Sequence, residues 1–165
     1  MAAPVGNGMI LIRIVDGVRH SFPDRKIEWI MTVWAMGWAA KWFFDPADNF
    51  ATPSHAWDTL QYLFGSETFF SGLMLLTASA RMAALTINGT FHDTVYSRYS
   101  PLVRGVTAFL CGMFWLLIWL SVMRTNSQGV VTFWGPIAID FITAFFVVGE
   151  SADILRDWRN GPRGG

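Results

Sequence analysis

A chain of 165 residues that is 53% hydrophobic and 16% aromatic has more apolar surface than one soluble domain of that length buries, which points to a single membrane-embedded domain. Lysine plus arginine and aspartate plus glutamate balance at 12 each, so no net field favours nucleic acid. Nine Trp and 14 Phe beside three Tyr suit rings placed in lipid and at its interfaces, and a single cysteine, Cys111, excludes an intrachain disulfide.

Residues 1–26 are polar or mixed and form an N-terminal cytoplasmic segment. Apolar, β-branched residues on either side of Asp16-Gly17 read as a short extended or hairpin segment, with an interfacial segment as the alternative. No cleavable signal peptide is expected, because Asp16, Arg19 and Asp24 precede any long apolar run. Pro23-Asp24 punctuates the start of the first span, residues 27–44, which has about the minimum length for a crossing. Glu28 and Lys41 sit near its two ends, where each can reach a headgroup region. Trp29, Trp34, Trp38 and Trp42 recur at helical spacing, as aromatic packing or interfacial anchors.

Residues 45–57 form a loop with two prolines, and a helix restarts near Ala56 with a break at Gly65-Ser66. The second span, 66–88, carries Arg81 within an apolar run and ends on a helix stop at Asn88-Gly89. The third span, 102–123, opens after Ser100-Pro101 with Arg104 in its first turn, and Arg124, Asn126, Ser127 and Gly129 make a short turn. The fourth, 130–149, carries Pro136, expected to free the carbonyl of Thr132, and Asp140 near its centre; Gly149-Glu150 closes it. Residues 151–165 are a charged cytoplasmic tail, fraying after Trp158.

Basic residues orient these spans. Arg13, Arg19, Arg25 and Lys26, then Arg98 with Arg104, then Arg156, Arg159 and Arg163 fall on one side, against Arg124 and Lys41 on the other. Both termini are thereby placed in the cytoplasm, which requires an even number of crossings. The expected fold is an all-α integral membrane four-helix bundle, N-in and C-in, in a bacterial inner membrane, with residues 27–150 as the transmembrane domain.

Depth sorts the charges inside it. Glu28, Arg81, Arg104 and Glu150 fall toward the cytoplasmic leaflet, and with Asp140 they make an intramembrane charge cluster. Arg81 needs a counter-charge most; the expected order of partners is Glu150, then Asp140, then Glu28. Asp140 reads either as a structural carboxyl bonded to Arg81, Thr77 or Ser79, or as an ion relay, with the structural reading preferred.

Enzymatic parts are missing. His20, His55 and His92 fall in loops or at their edges, which does not suit bis-histidine haem, and one cysteine does not suit thiol oxidation. No metal-ligand spacing, phosphate loop, nucleophile elbow or HExxH motif occurs, so no cofactor, no metal and no catalysis are expected.

The segment 81–89, RMAALTING, preceded by SFPDRKIEW at 21–29 and followed by Arg104 and Gly149-Glu150, resembles small four-span membrane proteins of unknown function encoded by tailed bacteriophages and prophages. Thr90-Phe91 departs slightly from the pattern, which places an aromatic just after Asn-Gly. The resemblance spans about residues 21–156 and implies a phage-encoded inner-membrane protein with a structural or interaction role at the host membrane. Its partners would be the lipid bilayer, and a homo-oligomer or a host or phage membrane protein. The alternatives are a holin-like pore-former in host lysis and, more weakly, a small transporter using Asp140.

Overall fold

The computed structural model describes residues 12, 14–19, 22–46, 57–90, 95–123 and 133–160, and its regular elements are all helical. They are α1, Lys26–Phe44; α2, Asp58–Phe64; α3, Glu67–Thr90; α4, Val95–Met123; and α5, Trp134–Asn160. Three of them contain stretches long and apolar enough to cross a membrane: Glu67–Asn88, Tyr99–Met123 and Trp134–Ala152. In α1, also 19 residues long, Glu28, Lys41 and the polar edges of four Trp dilute the hydropathy.

Apolar residues surround these helices instead of forming one inward stripe. α1 buries Met31, Ala35 and Ala39 yet exposes Ile27, Ile30, Val33 and Phe44, and α5 buries Ile137, Ala144 and Val147 yet exposes Ile142, Phe145, Phe146 and Val148. A helix apolar all round belongs in a lipid-facing or fully buried setting. α1 packs along α3, α3 along α4, and α4 along α5, while α1 and α5 touch more sparingly. Gly105 and Gly112 let α4 and α5 approach, since a Cβ at these positions would lie 3.4 Å from Val147 and Phe141.

One end of the bundle is aromatic. Phe70, fully buried, meets Trp42, Phe64 and Phe114 at centroid distances of 6.2, 4.9 and 5.5 Å, and Trp42 also meets Trp57 at 5.5 Å. Trp38 joins them through Trp42 at 5.5 Å and meets Trp115 at 6.0 Å. The short α2 is pinned here by buried Leu60 and closed by Gly65, whose φ of 72° is left-handed. Ser66 then caps α3 by accepting from Phe69 N–H at 3.1 Å. The four tryptophans of α1 do not share a face: Trp29 and Trp42 are buried, Trp38 half-buried and Trp34 exposed.

Several expected boundaries are corrected. Residues 14–19 are helical and not a hairpin; Phe22 N–H donates to Val18 O at 2.8 Å, because a two-stranded ribbon with nothing to pack on is marginal in water. α3 runs through Asn88 and Gly89 to Thr90, so these two residues do not stop it. α4 starts at Val95 with Pro101 inside it, because one missing N–H early in a long helix leaves the other bonds intact. α5 starts at Trp134, which puts Pro136 in the first turn, where its missing N–H has no partner to lose, and α5 continues to Asn160 beyond the expected span. The loop at 47–56, residues 91–94, the turn and span start at 124–132, and His20, His55 and His92 lie outside the described residues.

Candidate functional site: two layers of buried charge

Two charge layers tie the long helices together. In the inner one, Arg81 of α3 donates from Nη1 to Asp140 Oδ1 of α5 at 2.6 Å, and both side chains are wholly buried. Cys111 of α4 faces this pair, and the Trp115 indole faces Asp140 without reaching hydrogen-bond geometry. Arg81 Nε and Nη2 and Asp140 Oδ2 are enclosed and make no hydrogen bond among the described residues. Thr77 bonds its own helix at Leu73 O and Ser79 is exposed, so neither serves Asp140.

The outer layer is centred on Arg104, which is 2% exposed. Its Nη2 and Nε make a two-pronged bond to Glu28 at 2.6 and 3.0 Å, and its Nη1 reaches Glu150 at 3.3 Å. Arg25, just before α1, lies 3.5 Å from the other Glu150 oxygen. With the Asn88 amide turned so that its oxygen faces Arg25, it accepts from that guanidinium too. Burial, and after it the like charge of Arg104, lower the Arg25 pKa, while Glu150, Glu28 and Asp24 oppose the shift. Nearby, Ser100 Oγ of α4 donates to Ala84 O of α3 at 2.7 Å.

The starts of α1 and α4 and the late turns of α3 and α5 therefore lie at one end, so α1, α3, α4 and α5 alternate in direction. Along α4, Arg104 and Cys111 are seven residues apart, which separates the two layers by about 10 Å.

Comparison with protein-family models, curated proteins and solved structures finds no match. The geometry of the site itself must carry the functional reading.

All five charges of the expected cluster are found, but they divide into two groups. Arg81 pairs with Asp140, not with Glu150; Glu150 and Glu28 both serve Arg104. The helical continuation past Gly89 explains this, because it sets Arg81 about 13 Å of rise from the end of α3, too deep to reach Glu150. Asp140 lies ten residues before Glu150 on α5, at a matching depth. Asn88 joins the outer layer as an acceptor for Arg25, and Gly89 holds helical backbone. Two roles went unread in the sequence: Arg25 as a member of this layer and Arg104 as its centre. The signal for both was the even count of two acids, Glu28 and Glu150, at one depth with two arginines. Among the described residues no group of His, Cys, Asp and Glu could hold a metal ion.

Proposed function

We propose that this chain is a four-span protein of a bacterial inner membrane, with both termini cytoplasmic, whose role is structural or interactive. The carrying observation is that the buried charges find counter-charges across helices: Arg81 with the buried Asp140, and the buried Arg104 with Glu28 and the more exposed Glu150. Cross-linked in this way, the bundle is a rigid platform that presents its charged cytoplasmic end to a membrane-protein partner or a second copy. A phage or prophage origin is supported by the 81–89 segment and its flanks, and places that platform at a host membrane. Expressing the protein alone while following membrane potential and culture density tests the reading: both should stay unchanged. Abrupt lysis on coexpression with an endolysin would favour a holin-like pore-former.

A second reading is favoured by one observation, the enclosed Asp140 Oδ2 beside two Arg81 nitrogens, all three without a hydrogen bond among the described residues. Here Asp140 takes and releases a proton or cation in a small transporter. Proteoliposomes loaded with a pH-sensitive dye decide it, since only this reading gives a flux that Asp140→Asn abolishes.

A further inference from the structure

α1 and α5 are neighbours that touch sparingly, and between them opens a lateral groove of about 560 Å³. Its wall is apolar: Ile139, Ile142 and Phe146 of α5 line it, the last two 56% and 70% exposed. Its mouth is charged, formed by Asp24, Arg25 and Lys26 where the chain enters α1. Glu28 also lines the mouth, but Arg104 holds both of its oxygens, and Glu150 is shared between Arg104 and Arg25. Lys26 and Asp24 are both exposed and, among the described residues, neither joins an ion pair within 4.0 Å, although Asp24 acts on Arg25 through its charge, so a cation and an anion stand side by side at the mouth.

We infer that this groove binds one phospholipid of the aminoethanol type, a site that rests on the membrane reading above. The mouth lies at the level of the outer charge layer, where a headgroup sits if α5 spans the bilayer. From Phe146 to Ile139 the wall descends about 10 Å, the length of a substantial part of an acyl chain. A phosphodiester meets Lys26 and the half-buried Arg25, assisted by the first N–H groups of α1, which receive no side-chain cap. The primary ammonium of the same headgroup donates to Asp24. A glycerol headgroup brings Asp24 no ammonium of its own, and a trimethylated ammonium offers it no N–H.

The test uses the full chain, extracted from bacterial membranes in mild detergent and studied by native mass spectrometry. Phosphatidylethanolamine, phosphatidylglycerol, phosphatidylcholine and diacylglycerol are the added lipids. Phosphatidylethanolamine should be retained above the other three, and Lys26→Gln should lower its retention about three- to tenfold, as expected for one charge-assisted contact. Asp24→Asn should erase the preference over phosphatidylglycerol, and Ile142→Trp, which fills the groove, should lower retention of all four. Lys41→Gln, at the opposite end of α1, is the control and should change nothing. Equal retention of the four lipids, or indifference to Lys26→Gln and Asp24→Asn, overturns the site. Recovery of the chain in the soluble fraction, or its release from membranes by alkaline carbonate, overturns the membrane reading with it.

Discussion

Removing one member of an enclosed ion pair strands the other, typically at about 3–5 kcal/mol, while removing both leaves little to compensate. Arg81→Leu and Asp140→Leu should each destabilise the bundle by about that amount in detergent unfolding, and the double variant should recover much of the loss. A double-mutant cycle should give Arg81 and Asp140 a coupling above about 0.5 kcal/mol and give Arg81 and Glu150 less than that. Arg104→Lys should cost about 1.5–3 kcal/mol in the same assay, because an ammonium does not reproduce the fork that holds Glu28 at two oxygens while reaching Glu150. The need of Arg81 for a counter-charge was legible in the sequence, since an arginine within an apolar run is costly wherever the helix ends. Its partner was not. Choosing Glu150 assumed that Arg81 reaches toward water from a helix ending at Asn88, whereas its depth matches Asp140, ten residues before Glu150 on α5.

At the level of elements, glycines separate positions that hold packing from positions that only look like punctuation. Gly112 is packed against the ring of Phe141, three of whose carbons would lie 3.4 Å from an added Cβ, so Gly112→Leu should push α5 away and cost about 1–3 kcal/mol. Gly37 faces open space, so Gly37→Ala should be neutral or stabilising by about 0.5–1 kcal/mol through helix propensity. Thermal melts of the two variants side by side check both signs. Gly65, the glycine with positive φ among the described residues, is the true helix terminator, and the sequence marked it together with Ser66; Asn88-Gly89 carries the same local signal but lies in continuous helix. Asn-Gly permits a left-handed cap without demanding one, and the bonds of Asn88 to Arg25 and of Ser100 to Ala84 hold this end of α3 in the bundle. The Asp16-Gly17 signal failed for a related reason: a hairpin turn is stable only when its strands have a sheet or core to cover.

For the molecule as a whole, the decisive element is α1, the long helix whose hydropathy alone does not mark it as a span. Its path is tied to α4 at one end and to α3 at the other. Glu28 in its first turn is held at two oxygens by Arg104 at the start of the Tyr99–Met123 stretch, and Trp42 near its end packs against Phe70 at the start of α3. From Lys26 to Phe44 its 19 residues rise about 28 Å, close to the thickness of a hydrocarbon core. If α3 and α4 cross the bilayer, α1 is therefore carried across beside them, and its polar content is explained by where it falls: Glu28 is neutralised by Arg104, and Lys41 lies within a turn of the far end, 3.6 Å from Asp45. Reporter fusions after Pro53 should then read periplasmic, and fusions after Tyr96 and Arg159 cytoplasmic, in keeping with the excess of basic residues on the side of the outer charge layer. A cytoplasmic signal at Pro53 would mean that α1 does not cross, and the Glu28–Arg104 bond would then have to break, which Glu28→Gln tests independently: it should destabilise a four-span bundle strongly and leave a three-span one unchanged.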